Sequence, residues 1–177
     1  AKLLFLEGYL WDPPEAKTAM RYAASGVSPE GQVALTLSDQ FCVERHRSSF
    51  LELIDDHVDV LFANEHEVMS LFEVDDLDRA LEMTQELVKL TVVTLGARGS
   101  VLITGDGYTK ISADPVAQVV DKTGAGDLYA SGVLYGLARG YDLQRCGQLG
   151  SIAAEEVIGH IGPRPETSLR ELAGALA

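Results

Sequence analysis

The stretch Asp121-Lys122-Thr123-Gly124-Ala125-Gly126-Asp127 decides how this chain is read. Two glycines one residue apart let the backbone turn tightly and approach a ligand closely. The apolar run Val116–Val120 precedes the stretch and reads as a strand. Behind it, Ala130, Val133, Leu134 and Leu137 recur at helical spacing as far as Arg139, with Gly140 as a natural stop. The segment is therefore strand, glycine-rich turn, helix. In open α/β sheets ligands bind beyond the carboxyl ends of strands, where this turn lies.

The first N–H groups of a helix have no partner inside it, and the positive end of the helix dipole lies behind them. Gly124, Ala125 and Gly126 thus form a candidate anion site. Asp127 follows in the first turn. A carboxylate beside an anion is repelled, unless it serves a hydroxyl that attacks the anion. In phosphoryl transfer one Asp takes the hydroxyl proton while the rest of the site positions charge. The same Asp127 is also readable as a helix cap, and the seven residues alone favour that reading. No Gly-x-x-x-x-Gly-Lys-Ser/Thr loop occurs. Tyr129 stands where a dinucleotide fingerprint needs its third glycine.

Outward from the turn, apolar runs and amphipathic stretches alternate. Lys2–Leu6, Val33–Leu37, Val58–Ala63 and Thr91–Leu95 read as strands. Pro13 and Pro14 suit a first helical turn continued by Glu15–Ala24. Val43–Ile54, Asn64–Phe72 and Asp75–Leu87 read as helices. Ser100–Thr104 and Tyr108–Ile111 flank Gly105-Asp106-Gly107, a hairpin signal. Gln144–His160 is a long helix, and a last one starts near Glu166. This alternation predicts βαβ units and a mainly parallel sheet with helices on both faces, in one domain covering residues 1–177.

The bulk numbers narrow the function. A net charge of −13 argues against a nucleic-acid partner. No apolar segment is long enough to span a bilayer, so no membrane partner is expected. Two distant cysteines, Cys42 and Cys146, in no metal or redox spacing, suit reduced thiols and a cytoplasmic location. His46, His57, His66 and His160 show no ligand spacing and read as surface or incidental.

Further stations stand in a fixed order. Asn64-Glu65-His66-Glu67 follows a strand. Thr94-Leu95-Gly96-Ala97-Arg98-Gly99 ends another. Gly162-Pro163-Arg164 follows the long helix. With the glycine turn, these resemble the Asn-x-x-Glu motif, the Thr-x-Gly-x-x-Gly strand end and the C-terminal signature of the ribokinase-like (PfkB) sugar and nucleoside kinases. The resemblance implies a three-layer αβα ribokinase-like fold. It implies Asp127 as the base that deprotonates a substrate hydroxymethyl, with the backbone of Gly124, Ala125 and Gly126 holding the transferring phosphoryl. Thr94, Gly96 and Gly99 would line the ATP site. Asn64 and Glu67 would hold Mg²⁺ through water. Asp121, Thr123 and carbonyls near Gly162 would bind a monovalent cation such as K⁺. Read without the resemblance, Asn64 and Glu67 spell a capping box, and Thr94–Gly99 a turn into a hairpin. Lys122, where many members carry a smaller residue, is expected to face solvent.

The same resemblance implies that the N-terminal half, with the lid that covers the acceptor and often mediates a homodimer, lies outside this chain. On that reading residues 1–177 alone have little or no turnover. Leu6–Pro14 and Leu37–Val43 resemble bacterial adenosine kinases or generic sugar kinases of the family, and adenosine to AMP is the favoured reaction. Ribose, fructose or another sugar is the alternative acceptor. A nucleotide-binding module without turnover is a different class that stays open, and a nicotinamide-dependent oxidoreductase is weaker.

Overall fold

A computed structural model describes residues 1–176. Six strands form one sheet in the order β1-β2-β3-β4-β5-β6, so the predicted mainly parallel α/β class holds. The chain divides into two compact units. The first is Ala1–Thr94 with Ile103–Tyr108, and the second is Leu95–Leu102 with the chain from Thr109 onward.

In the first unit, β1 (Leu3–Glu7), β2 (Gln32–Thr36), β3 (Val60–Asn64) and β4 (Leu90–Thr94) pair in parallel, with Leu4 opposite Val33, Ala34 opposite Val60 and Val60 opposite Leu90. Parallel neighbours need a crossover between them. Helices α1 (Pro14–Ser25), α2 (Gln40–His57), α3 (Glu65–Phe72) and α4 (Leu77–Thr84) supply it. Val60, Leu61, Phe62 and Ala63 are all buried, as a strand covered on both faces requires. Trp11 is wholly buried and stacks on Phe50 at 5.6 Å between ring centres. Its indole N–H donates to Ser49 Oγ at 2.8 Å, so the large ring is buried without an orphaned donor.

The predicted hairpin is present as β5 (Ser100–Thr104) and β6 (Gly107–Ile111). The second unit holds α5 (Ala125–Arg139), α6 (Leu143–Ile158) and α7 (Leu169–Ala173). Ala130 and Val133 of α5, and Leu149, Ala153 and Val157 of α6, are buried. Gly140, at φ 72°, ends α5 in the left-handed cap that its glycine predicts.

Three expectations change. Val116–Val120 is not a strand. Val116, Val119 and Val120 are exposed, and the Val120 N–H bonds to the last turn of α6, at Ile158 O (2.8 Å). The run has strand composition without a strand neighbour. The helix read over Asp75–Leu87 forms only from Leu77 to Thr84, with Asp76 accepting from the Arg79 N–H at 2.8 Å as its cap. The last helix begins at Leu169, capped by Ser168, and not near Glu166. Both cysteines are buried and unbridged. Among the described residues no helix is long and apolar enough to cross a membrane.

Candidate active site

In the second unit, α5 starts at Ala125 behind its N-cap Gly124, which holds a left-handed conformation (φ 80°), and no side chain caps the helix. The Ala125 N–H bonds to Lys122 O at 3.1 Å and the Leu128 N–H to Gly124 O at 2.9 Å. Between them, the N–H groups of Gly126 and Asp127 have no partner among the described residues. The turn therefore presents free donors at a helix N-terminus, the arrangement that holds an anion. Asp127 is exposed and its carboxylate enters no hydrogen bond or ion pair among the described residues. It is not the cap of α5. Lys122 is exposed, as expected.

The turn is pinned from one side. Asp121 Oδ1 accepts the Thr123 N–H (2.9 Å) and hydroxyl (2.7 Å), and its Oδ2 accepts the Gly162 N–H at 3.0 Å. The Thr123 and Gly162 N–H groups, then the Thr123 hydroxyl, hold this carboxyl down at about 2. The structure thus brings together Asp121, Thr123 and Gly162, the three residues read as a cation site. Pro163 lies against Gly124, where an added Cβ would come 2.6 Å from the proline Cβ.

One turn earlier, Glu156 carries a network absent from the sequence reading. Its Oε1 accepts the N–H groups of Glu166 and Thr167, each at 2.8 Å, and its Oε2 lies 3.3 Å from His160 Nε2. Burial raises the carboxyl, but the Thr167 N–H, His160 and the Glu166 N–H outweigh it and its pKa is lowered. His160 is accordingly a partner of Glu156 and not incidental, and the Glu156 contact raises its pKa. His46 likewise pairs with Asp12, at 2.6 Å.

Gly96 and Gly99 also lie in the second unit. The Leu95 N–H bonds to Gly99 O at 2.8 Å, closing a short 3-10 turn over Gly96–Arg98. Gly96 is exposed. Gly99 is buried against the Ile111 carbonyl, with no room for a side chain.

In the first unit, Thr94 ends β4 and Asn64 ends β3. Asn64 and Glu67 form a complete capping box on α3. Asn64 Oδ1 accepts the His66 N–H (2.9 Å) and Glu67 N–H (3.0 Å). Glu67 Oε2 accepts the Asn64 N–H (2.9 Å), and its Oε1 accepts Asn64 Nδ2 (2.6 Å). Glu67 is only 4% exposed. Burial pushes its carboxyl up to about 7, the Asn64 N–H opposes this, and the Asp39 carboxylate adds to it. Each carboxylate oxygen keeps a second acceptor position. Asn64 Oδ1 already accepts two N–H groups, so the Glu67 oxygens are the ones of this pair that could meet a hydrated Mg²⁺.

Tyr9, Leu10 and Phe41 are large apolar residues that the sequence does not single out. They are 51%, 54% and 69% exposed; Tyr9 and Leu10 lie in the 3-10 turn Gly8–Trp11 that follows β1, and Phe41 in the first turn of α2. The Tyr9 N–H donates to Ser38 Oγ at 3.2 Å, and Ser38 holds a left-handed φ of 71°. Burial, then a hydrogen bond with the Asp39 carboxylate, raises the Tyr9 phenol.

Residues 1–169 match the model of the pfkB family carbohydrate kinases. The solved adenosine kinase of Sinorhizobium meliloti is 49% identical, with a TM-score of 0.96 over 99% of this chain and 54% of that one. A nucleoside kinase of Methanocaldococcus jannaschii is 37% identical over 117 residues, 63% of this chain and 36% of the relative. Arabidopsis thaliana ribokinase, solved with ribose and ATP, shares the fold at 24% identity, with a TM-score of 0.78 over 99% of this chain and 56% of that one. The expected ribokinase-like fold is thereby established, and the chain spans about half the length of these solved neighbours.

Proposed function

This chain belongs to the pfkB family of carbohydrate kinases, and from that premise we propose that the full-length protein phosphorylates the hydroxymethyl group of a nucleoside, converting adenosine to AMP with ATP. The observation that carries the reading is the start of α5. An unpaired, exposed Asp127 carboxylate stands beside two free backbone N–H groups.

The N–H groups of Gly126 and Asp127, with the helix dipole behind them, hold the phosphoryl oxygens. Asp127 accepts the proton of the attacking hydroxyl, which becomes a better nucleophile as it loses that proton. Carboxylate and anion share one turn because the carboxylate addresses the acceptor and the N–H groups address the phosphate. ATP, with Mg²⁺, supplies the phosphoryl group. Glu67 and Asn64 would hold the metal through water, and Thr94 and Gly96 would border the nucleotide. Asp121 and Thr123 offer oxygens for a monovalent cation beside the turn.

A nucleoside is preferred over a free sugar because Tyr9 and Leu10, in the turn after β1, and Phe41, in the first turn of α2, are exposed apolar surface. A purine ring gains from such surface and ribose does not. The 49% identity to an adenosine kinase supports the same choice.

The test is ATP-dependent phosphorylation by the full-length protein across a panel of nucleosides and sugars. Adenosine is expected to give the highest kcat/KM. Turnover of ribose or fructose with adenosine untouched would move the acceptor to the sugars. ATP binding without turnover of any acceptor would leave a nucleotide-binding module.

A further inference from the structure

We propose that Glu156, outside every motif of the chain, is a positioning residue for the phosphate-binding turn. The proposal rests on the kinase reading of that turn. The Glu156 side chain is only 6% exposed, yet it carries a carboxylate. A buried carboxylate is retained where it meets several donors. Here the donors are two backbone N–H groups of one loop, those of Glu166 and Thr167, with His160 on the other oxygen. Both N–H contacts are 2.8 Å, the short range of charge-assisted bonds.

The loop so held runs from the end of α6 to the start of α7. Its middle touches the turn at two points. The Gly162 N–H donates to Asp121 Oδ2 at 3.0 Å, and Pro163 lies against Gly124. Gly162 adopts φ 96°, a conformation that no helix or strand enforces, so the loop needs an external anchor. Glu156 is that anchor at the loop's far end, and Ile158 O, accepting the Val120 and Asp121 N–H groups at 2.8 and 3.4 Å, fixes its near end. One helix terminus therefore holds both the entry to the turn and the loop that backs it. Without Glu156 the loop would lose its fixed end, Pro163 would leave Gly124, and the free N–H groups of Gly126 and Asp127 would no longer share one direction. A misplaced turn costs turnover more than affinity.

The experiment compares the full-length protein with E156A, E156Q and E156D. Amide hydrogen exchange is followed without ligand at residues 121–127 and 160–167, and kcat and KM for the acceptor are measured. In E156A the Gly162, Glu166 and Thr167 amides should exchange at least ~10-fold faster. Its kcat should fall ~10-fold or more while the acceptor KM changes less than ~2-fold. E156Q keeps an acceptor oxygen for both N–H groups and should restore protection and most of kcat. Where E156A does not fold, E156D, one methylene shorter, should show the same split in milder form. Unchanged exchange in E156A would overturn the proposal. So would faster loop exchange with an unaltered kcat, or E156Q behaving like E156A. Absence of kinase activity in the unmodified protein would defeat the reading of the turn, while the exchange arm would still report whether Glu156 holds the loop.

Discussion

Pro163 occupies the space that a side chain at residue 124 would need. A Cβ built on Gly124 would stand 2.6 Å from the Pro163 Cβ, and Gly124 itself holds φ 80°. Gly124→Ala therefore combines left-handed strain, about 1 kcal/mol, with a steric displacement of the backing loop. We expect a loss of about 2 kcal/mol or more in urea unfolding, together with a kcat reduced ~10-fold or more by a displaced turn. A variant with native stability and turnover would show that the turn tolerates a side chain and that Pro163 is a passive neighbour.

Glu67 is stabilised as the protonated acid. Its carboxyl is raised from 4.5 to about 7, chiefly by burial. Between these values the folded state keeps a proton that the unfolded chain has released, so stability falls as pH rises through that window. The full difference is on the order of 3 kcal/mol. Glu67→Gln removes the titration and keeps an oxygen for the Asn64 N–H. Its unfolding free energy should fall less steeply between pH 5 and 7 than that of the unmodified protein. Parallel curves for the two proteins would rule this out.

Tyr9 and Phe41 separate nucleoside from sugar. If their exposed rings border the acceptor base, Tyr9→Ala and Phe41→Ala should each raise the adenosine KM about 10-fold, the scale of one lost aromatic contact, with ribose little affected. The check is a comparison of KM for adenosine and for ribose in each variant. An equal effect on both acceptors would mean that these residues shape the loops without reading the base.

Much of this was legible in the chain. The buried strands announced themselves as continuous apolar runs, because a parallel strand covered on both faces has no polar side to show. The glycine turn was legible because Gly124 and Gly126 permit a geometry that other residues resist. Val116–Val120 misled for the converse reason. Strand composition describes a half-buried surface, and the run lies exposed against the end of α6 with no strand beside it. Asn64 and Glu67 were legible as a capping box, and the box is there. Glu156 could not be found, because its partners are backbone N–H groups 10 and 11 residues away that carry no side-chain signature.

Whether Asp127 is a cap or a base depends on where α5 begins, a difference of a residue or two that sequence reading does not resolve. The structure puts the start at Ala125, behind its N-cap Gly124, which leaves Asp127 in the first turn with no capping bond. The two roles predict opposite outcomes for Asp127→Asn. A cap would cost stability, about 1 kcal/mol, and leave chemistry intact. A base would cost turnover, because asparagine has the same shape and cannot take a proton. The free N–H groups of Gly126 and Asp127 belong to the backbone and survive the substitution, so ATP affinity should hold, and losing a negative charge beside the phosphate can only favour it. We expect a kcat at least ~10²-fold lower, a stability change under about 1 kcal/mol from the helix dipole, and an unweakened ATP Kd. Steady-state kinetics, urea unfolding and calorimetric titration with ATP measure the three quantities on one protein. An unimpaired kcat would remove Asp127 from the chemistry, whatever the other two showed.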